Sequence, residues 1–232
     1  MPSWAIHLAV GEALSKNMEK EEKQKFTFGN LLPDVNVGFL INPVSKIIPY
    51  EITHHGVIKD FGEKVRMLPD YKEFIQNYST RIKEPAVLGY LAHLATDYYW
   101  NYYTYIERGI YKDKEVIGIK TKDTVFLGEE EIIRQMKVND FNHFSSYLYQ
   151  NKLKEIPMFE KDILELTQKI QEVHIENQDI EGVNQYFTNI LQNLQEFGGD
   201  YQIFTPKEME ECLEGNISFI ERIFQEVDKD MF

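Results

Sequence analysis

Cysteine is nearly absent from this 232-residue chain: Cys212 is the only one. That excludes an intrachain disulfide and a thiolate zinc cluster, so any metal must be held by histidine, carboxylate or backbone atoms. Positive charge is also scarce, with 25 basic against 38 acidic residues and a net charge of −13. A nucleic-acid footprint needs clustered lysine and arginine, and simple docking on anionic membranes needs the same, so both are disfavoured. No apolar run approaches the length of a transmembrane span. The opening Met-Pro-Ser-Trp-Ala-Ile-His lacks the basic and apolar regions of a signal peptide, and a cytoplasmic location is expected. Internal repeats and low-complexity tracts are missing too.

What is present reads as a soluble globular protein, 43% hydrophobic and 27% charged, long enough for one well-buried core. Helical patterns dominate. Residues 3 to 16 predict a first helix, with Ser3 as N-cap and Ile6, Val10 and Leu14 as an apolar stripe carrying His7 beside it. The charged run Lys16 to Lys25 reads as a solvated helix end and linker. Phe26 to Val35 is apolar for a loop and is broken by Gly29-Asn30 and Pro33; its Asp34 needs hydrogen bonds or a cation if buried. Ile41 to Tyr50 reads as irregular and leads into Thr53-His54-His55. Adjacent histidines point apart on any regular backbone, so at most one should face a shared site.

A second helix is expected from about Lys59 to Tyr78, and Pro85 opens a third in its favoured first turn. Residues 109 to 128 fit a loop or small hairpin. Glu129 to Tyr149, Met158 to Val173, Val183 to Phe197 and Pro206 to Val227 carry further helical patterns, punctuated by Gly198-Gly199 and by Thr205 as an N-cap. His174 is expected to face solvent. The expectation is an all-α multi-helix bundle forming a single domain, residues 1–232, with a candidate metal-site half of about 1–105 and a helical remainder of about 106–232.

The most informative stretch is Leu88-Gly-Tyr-Leu-Ala-His-Leu-Ala-Thr-Asp-Tyr-Tyr-Trp-Asn101. As a helix it stacks His93 and Asp97 one turn apart on one face, a spacing that can close on one metal ion. The same pair can instead be a buried hydrogen bond that orients a core histidine. Taken with His7, Asp34 and His54, however, the pair becomes part of a set of three imidazoles and two carboxylates. That set suits zinc or another borderline metal better than calcium or magnesium, and five ligands exceed what one tetrahedral ion needs. One or two ions are expected. Tyr98, Trp100 and Tyr103 belong to an aromatic cluster that can form core, or a groove wall that binds substrate.

The four segments Trp-Ala-Ile-His, Phe-Gly-Asn-Leu-Leu-Pro-Asp, Thr-His-His and Leu-Gly-Tyr-Leu-Ala-His-Leu-Ala-Thr-Asp, in this order, resemble the zinc-dependent phospholipase C family. That family is related in fold to the P1/S1-type zinc nucleases, and the likeness covers about residues 1 to 105. The resemblance implies an all-α fold and a zinc cluster that cleaves phosphodiesters. It makes Asp34, His54, His93 and Asp97 ligands of one zinc and His7 and Asp97 ligands of a neighbour, with Asp97 bridging. It also gives Asp34 a catalytic part, orienting or deprotonating the attacking water.

Departures from the family pattern are specific. Trp4 lies only three residues before His7, Tyr103 stands where a further histidine is expected, and His143-Phe-Ser-Ser-Tyr147 lacks the carboxylate of a later HxxxE. A third site would need rebuilding, with Asp140 as a candidate. The expectation is a small intracellular relative with a reduced metal centre. Its substrate would be a small phosphoester or phospholipid. The alternative is a metal-binding helical module without turnover.

Overall fold

The computed structural model describes residues 2–153, 155–192 and 200–229. The chain starts with α1 (Trp4–Leu14) and α2 (Lys20–Gly29), followed by the single turn α3 (Leu32–Val35) and, after an irregular segment, the single turn α4 (Tyr50–Thr53). Ser3 does occupy the N-cap of α1, although its hydroxyl bonds to Ser145 Oγ at 2.5 Å rather than to the helix backbone. Of the charged run Lys16 to Lys25, residues 16–19 connect α1 to α2, and Lys20 onward forms the first turns of α2, whose apolar end brings Phe26 and Phe28 into the core.

Helices dominate, but the fold is not all-α. Gly56–Asp60 (β1) and Val65–Pro69 (β2) pair as an antiparallel hairpin, with Gly56 opposite Pro69 and Asp60 opposite Val65. The helix expected from Lys59 to Tyr78 therefore shrinks to α5 (Tyr71–Asn77). Two physical causes override the helical reading. Val57, Ile58 and Val65 are β-branched and prefer a pleated surface, and Gly62 adopts φ +86° in the connecting turn, where it caps the Asp60 carboxylate. A second, three-stranded antiparallel sheet runs β3 (Gly109–Lys112), β4 (Glu115–Lys120), β5 (Val125–Leu127), filling the region where a loop or hairpin was expected. The remainder beyond residue 106 is thus mixed rather than helical.

The central helix is α6 (Pro85–Asn101), with proline in its first turn, and it continues into a π-helical segment, Tyr102–Glu107. After the second sheet come α7 (Glu130–Asn151), the single turn α8 (Leu164–Thr167), α9 (Asn177–Gln192) and α10 (Pro206–Lys229). The helix expected over Met158 to Val173 exists only as a 3-10 turn (Lys161–Ile163) and α8. The end of the Val183 to Phe197 pattern and Gly198-Gly199 lie outside the described residues. Thr205 caps α10 in a reciprocal box with Glu208: each backbone N–H donates to the other's side chain, at 2.7 and 3.1 Å.

Two buried clusters make the core. One gathers Trp4, Phe26, Phe28, Leu91 and Phe187; the other gathers Trp100, Phe141, Phe144 and Ile203 around α7 and the second sheet. What positions the site is the crossing of α2 and α6. A Cβ on Gly29 would lie 2.0 Å from the Ala86 carbonyl oxygen, and one on Gly89 would lie 2.0 Å from that of Phe26. Only glycine permits backbones this close, and the close approach sets the register between Asn30 and His93.

Candidate metal centre

Four segments converge on one buried point. His7 comes from the middle of α1, Asp34 from α3, His54 from the C-cap of α4, and His93 and Asp97 from adjacent turns of α6. All five side chains are fully buried. His54 and His55 diverge because His55 takes a left-handed backbone (φ 49°) that turns the chain into β1. His55 then lies outside the cluster, between Glu73 and Glu172 at 3.3 and 3.1 Å. His174 is exposed, and His143 packs beside Tyr201.

Asp140 does not rebuild a third site. Its oxygens accept the backbone N–H groups of Gln202, Ile203 and Phe204 at 2.6, 2.7 and 2.9 Å, anchoring the segment before α10.

The convergent atoms are candidate metal ligands facing one another. His54 Nε2 lies 3.1 Å from His93 Nε2, 3.4 Å from Asp34 Oδ1 and 3.5 Å from Asp97 Oδ2. His93 Nε2 is 3.9 Å from Asp34 Oδ1, and His7 Nε2 is 3.5 Å from Asp97 Oδ1. A cation with bonds of about 2.0–2.1 Å spaces neighbouring ligand atoms roughly 3.0–3.4 Å apart; the separations of 3.1 and 3.4 Å are ligand–ligand edges in length, and the two of 3.5 Å lie just beyond. Two triads, His7–Asp34–His93 and His54–His93–Asp97, each bring ligand atoms within 4.8 Å of one another and could hold a metal ion.

Hydrogen bonding from outside sets the ligand lone pairs. The Asn30 carbonyl can only accept, so His93 Nδ1, 2.8 Å away, carries the proton. Burial, with His7 stacked on it at 3.9 Å between centroids, lowers the His93 pKa to about 3, so the ring is neutral and Nε2 offers a lone pair inward. His54 Nδ1 sits 2.7 Å from Thr53 Oγ1, a hydroxyl able to accept or donate and so to serve either tautomer. Burial opposes charge on Asp34 and Asp97. The surrounding imidazoles more than offset it, chiefly His93 for Asp34 and His7 for Asp97, and both carboxyls are held below their usual range. A neutral His93 beside ionised Asp34 and Asp97 is in the protonation state a metal requires.

Several buried lone pairs stay unanswered. Asp34 Oδ1, Asp97 Oδ1 and both His7 nitrogens have no hydrogen-bond partner. Buried polar atoms are nearly always satisfied, and four orphans in one cluster fit an absent cation better than a packed core.

Other contacts were not foreseen from the sequence. The Trp4 indole N–H donates to Asp34 Oδ2 at 3.1 Å, leaving Oδ1 to face the histidines. The Asn30 side chain donates to the His7 carbonyl at 2.6 Å, so one residue ties α1 and α6 together. Tyr90 donates to the Thr53 carbonyl and holds α4 against α6. Tyr50 stacks on His54 at 4.0 Å and donates to Asp97 Oδ2 at 3.3 Å; burial, then Asp97, pushes its pKa well up, so it remains a donor. A position four residues before His54 on the same turn was the signal available for Tyr50.

The aromatic residues expected to bind substrate lie elsewhere. Trp100 is 1% exposed and packs between Phe141 and Phe144, Tyr98 packs on Tyr71 and Phe219, and Tyr103 on Phe204. Trp100 stands two turns beyond His93 and nearly in line with it on α6; it is core because Phe141 and Phe144 of α7 meet the helix at that level. Among the described residues no helix is long and apolar enough to cross a membrane. Comparison of the chain with protein-family models, curated proteins and solved structures finds no match.

Proposed function

We propose that the chain is a zinc-dependent phosphoesterase of the phospholipase C type, acting on a small phosphodiester. One observation carries this reading: five buried ligand side chains, more than one closed tetrahedral zinc needs, converge, and Asp34 Oδ1, Asp97 Oδ1 and both His7 nitrogens among them have no hydrogen-bond partner. When bound, zinc would supply Lewis acidity and make water a nucleophile near neutral pH. The residues do the rest. His93 presents Nε2 because Asn30 holds its Nδ1 proton. Asp97 turns Oδ1 toward His7 and Oδ2 toward His54, the attitude a carboxylate shared by two ions needs. Asp34 is steadied by Trp4 through Oδ2 and keeps Oδ1 free to orient a water or accept its proton.

Complete burial of all five side chains favours a second reading, a metal-binding module without turnover. The two separate in one experiment. Protein purified without chelator, and protein reconstituted with zinc, manganese, iron or nickel, is assayed for metal content and for hydrolysis of bis-p-nitrophenyl phosphate. The phosphoesterase reading expects one or two ions per chain and metal-dependent turnover. Stoichiometric metal with no turnover on diesters, monoesters or phospholipids selects the module. Substoichiometric metal under every condition sinks both.

A further inference from the structure

Asn101 stands one turn beyond Asp97, so His93, Asp97 and Asn101 share one face of α6 at i, i+4 and i+8. That face runs out of the buried centre into a groove of about 510 Å³, and Tyr50 lines the groove from the side of His54 and Asp97. Three cations, Arg66, Arg134 and Lys137, line it, and among the described residues no acidic side chain does. In a chain of net charge −13 this is a local inversion of sign.

Lys137 is the informative member. It is 3% exposed, its Nζ donates to Asn101 Oδ1 at 3.1 Å, and it sits 4.7 Å from the Tyr105 ring centroid and 5.6 Å from that of Phe141. Among the described residues no carboxylate pairs with it. One amide oxygen and two ring faces compensate a buried ammonium only in part, and an anion would complete its surroundings. Arg66 lies 3.8 Å over the same Tyr105 ring and pairs with the half-exposed Glu130; Arg134 pairs with the exposed Glu131 at the rim. Neither glutamate lines the groove. Opposite stand Ile58 and Met67, cross-strand partners in the β1–β2 hairpin, 71% and 36% exposed.

We propose that this groove is a phosphate subsite. Lys137, with Arg66 and Arg134, binds a phosphate dianion that the substrate carries beside the ester at the metal centre. The apolar wall of Ile58 and Met67 packs the group that bears it. The substrate class is thereby narrowed to phosphoesters with a second, terminal phosphate, an inference that rests on the phosphoesterase reading of the centre.

The test separates the two sites. Chelator-treated and zinc-loaded proteins are titrated calorimetrically with inorganic phosphate. Binding is expected to survive chelation, to weaken about tenfold or more in Lys137→Met, and to weaken about two- to threefold in Arg134→Gln, whose exposed side chain leaves folding intact. In the zinc-loaded protein phosphate should raise KM for bis-p-nitrophenyl phosphate, less so in Lys137→Met, which places the subsite on the substrate's path. A fall in kcat at constant KM assigns the groove to free phosphate and overturns the substrate role. Phosphate binding that vanishes on chelation and ignores both substitutions belongs to the metal alone and overturns the subsite. Failure of the metal centre itself would instead appear as missing zinc with phosphate binding intact.

Discussion

Asp140 and Asp97 are both fully buried carboxylates on long helices, α7 and α6, yet their surroundings differ in kind. Asp140 is saturated by three backbone N–H groups and anchors the segment leading into α10. Asp179 resembles it, accepting from the backbone of Ser45 and Glu176 at 2.7 and 2.8 Å. Asp97 accepts one long hydrogen bond from Tyr50 and otherwise faces imidazoles, with Oδ1 unanswered. A carboxylate that holds a loop is given donors. One that could hold a cation is given other candidate ligands.

The largest expected effect breaks this comparison at Asp97. Asp97→Asn keeps the volume but removes the charge that offsets the cations, so at least one ion should be lost and turnover should fall by about two orders of magnitude or more. Circular dichroism should stay helical, since α6 is held by its apolar contacts. A variant as active as the parent would rule out the shared-carboxylate arrangement.

Acid should unfold the metal-free protein through the same centre. In the unfolded chain His93 protonates near its ordinary value of about 6.5, whereas in the fold it stays neutral to about 3. Between those values the unfolded state takes up a proton the folded state refuses, so stability falls as pH drops across that window. Asp34 and Asp97, whose pKa values are lowered, add stability that is also lost at the acid end. Urea midpoints measured from pH 7 to pH 4 should fall continuously, and a His93→Gln variant should flatten the curve. A midpoint that rises in acid contradicts the account.

Asp140→Ala sharpens the comparison from the other side. Three buried N–H groups lose their acceptor, costing about 2–4 kcal/mol in urea unfolding, while metal bound per folded molecule should not change. Reduced metal stoichiometry in folded Asp140→Ala would join the two carboxylates that the structure separates.

The smallest effect is the contrast between neighbours. His54→Ala should deplete metal strongly. His55→Ala should leave occupancy intact and cost on the order of 1 kcal/mol, from its contacts with Glu73 and Glu172. Elemental analysis of the pair decides it, and depletion in His55→Ala alone would invert the assignment.

Much of the centre was legible in the chain itself. A helix from Pro85 with His93 and Asp97 on one face follows from local periodicity, and such patterns act over a few residues. His7 beside an apolar stripe and Asp34 in an apolar, broken segment were visible for the same reason. The hairpin over Gly56–Pro69 was not, because helical and extended readings of that stretch differ little locally, and pairing across the turn decides between them. The short elements between Met158 and Val173 failed for a related cause: their apolar residues are buried by contacts from distant segments rather than along one helical face.

The sequence by itself determined the ligand candidates and the acidic, nearly cysteine-free chemistry that confines a metal to histidine and carboxylate. Tertiary structure alone decided the rest. It brought the Asn30 carbonyl to His93, the Trp4 indole to Asp34 and Tyr50 to Asp97, and it sent Trp100 into the core. It also buried Lys137 from α7 against Asn101 of α6, 36 residues away. The reason is physical: periodicity records which face of an element is apolar, whereas which atom of a distant element meets that face depends on helix crossings. Here the crossing is set by the backbone contact at Gly29 and Gly89.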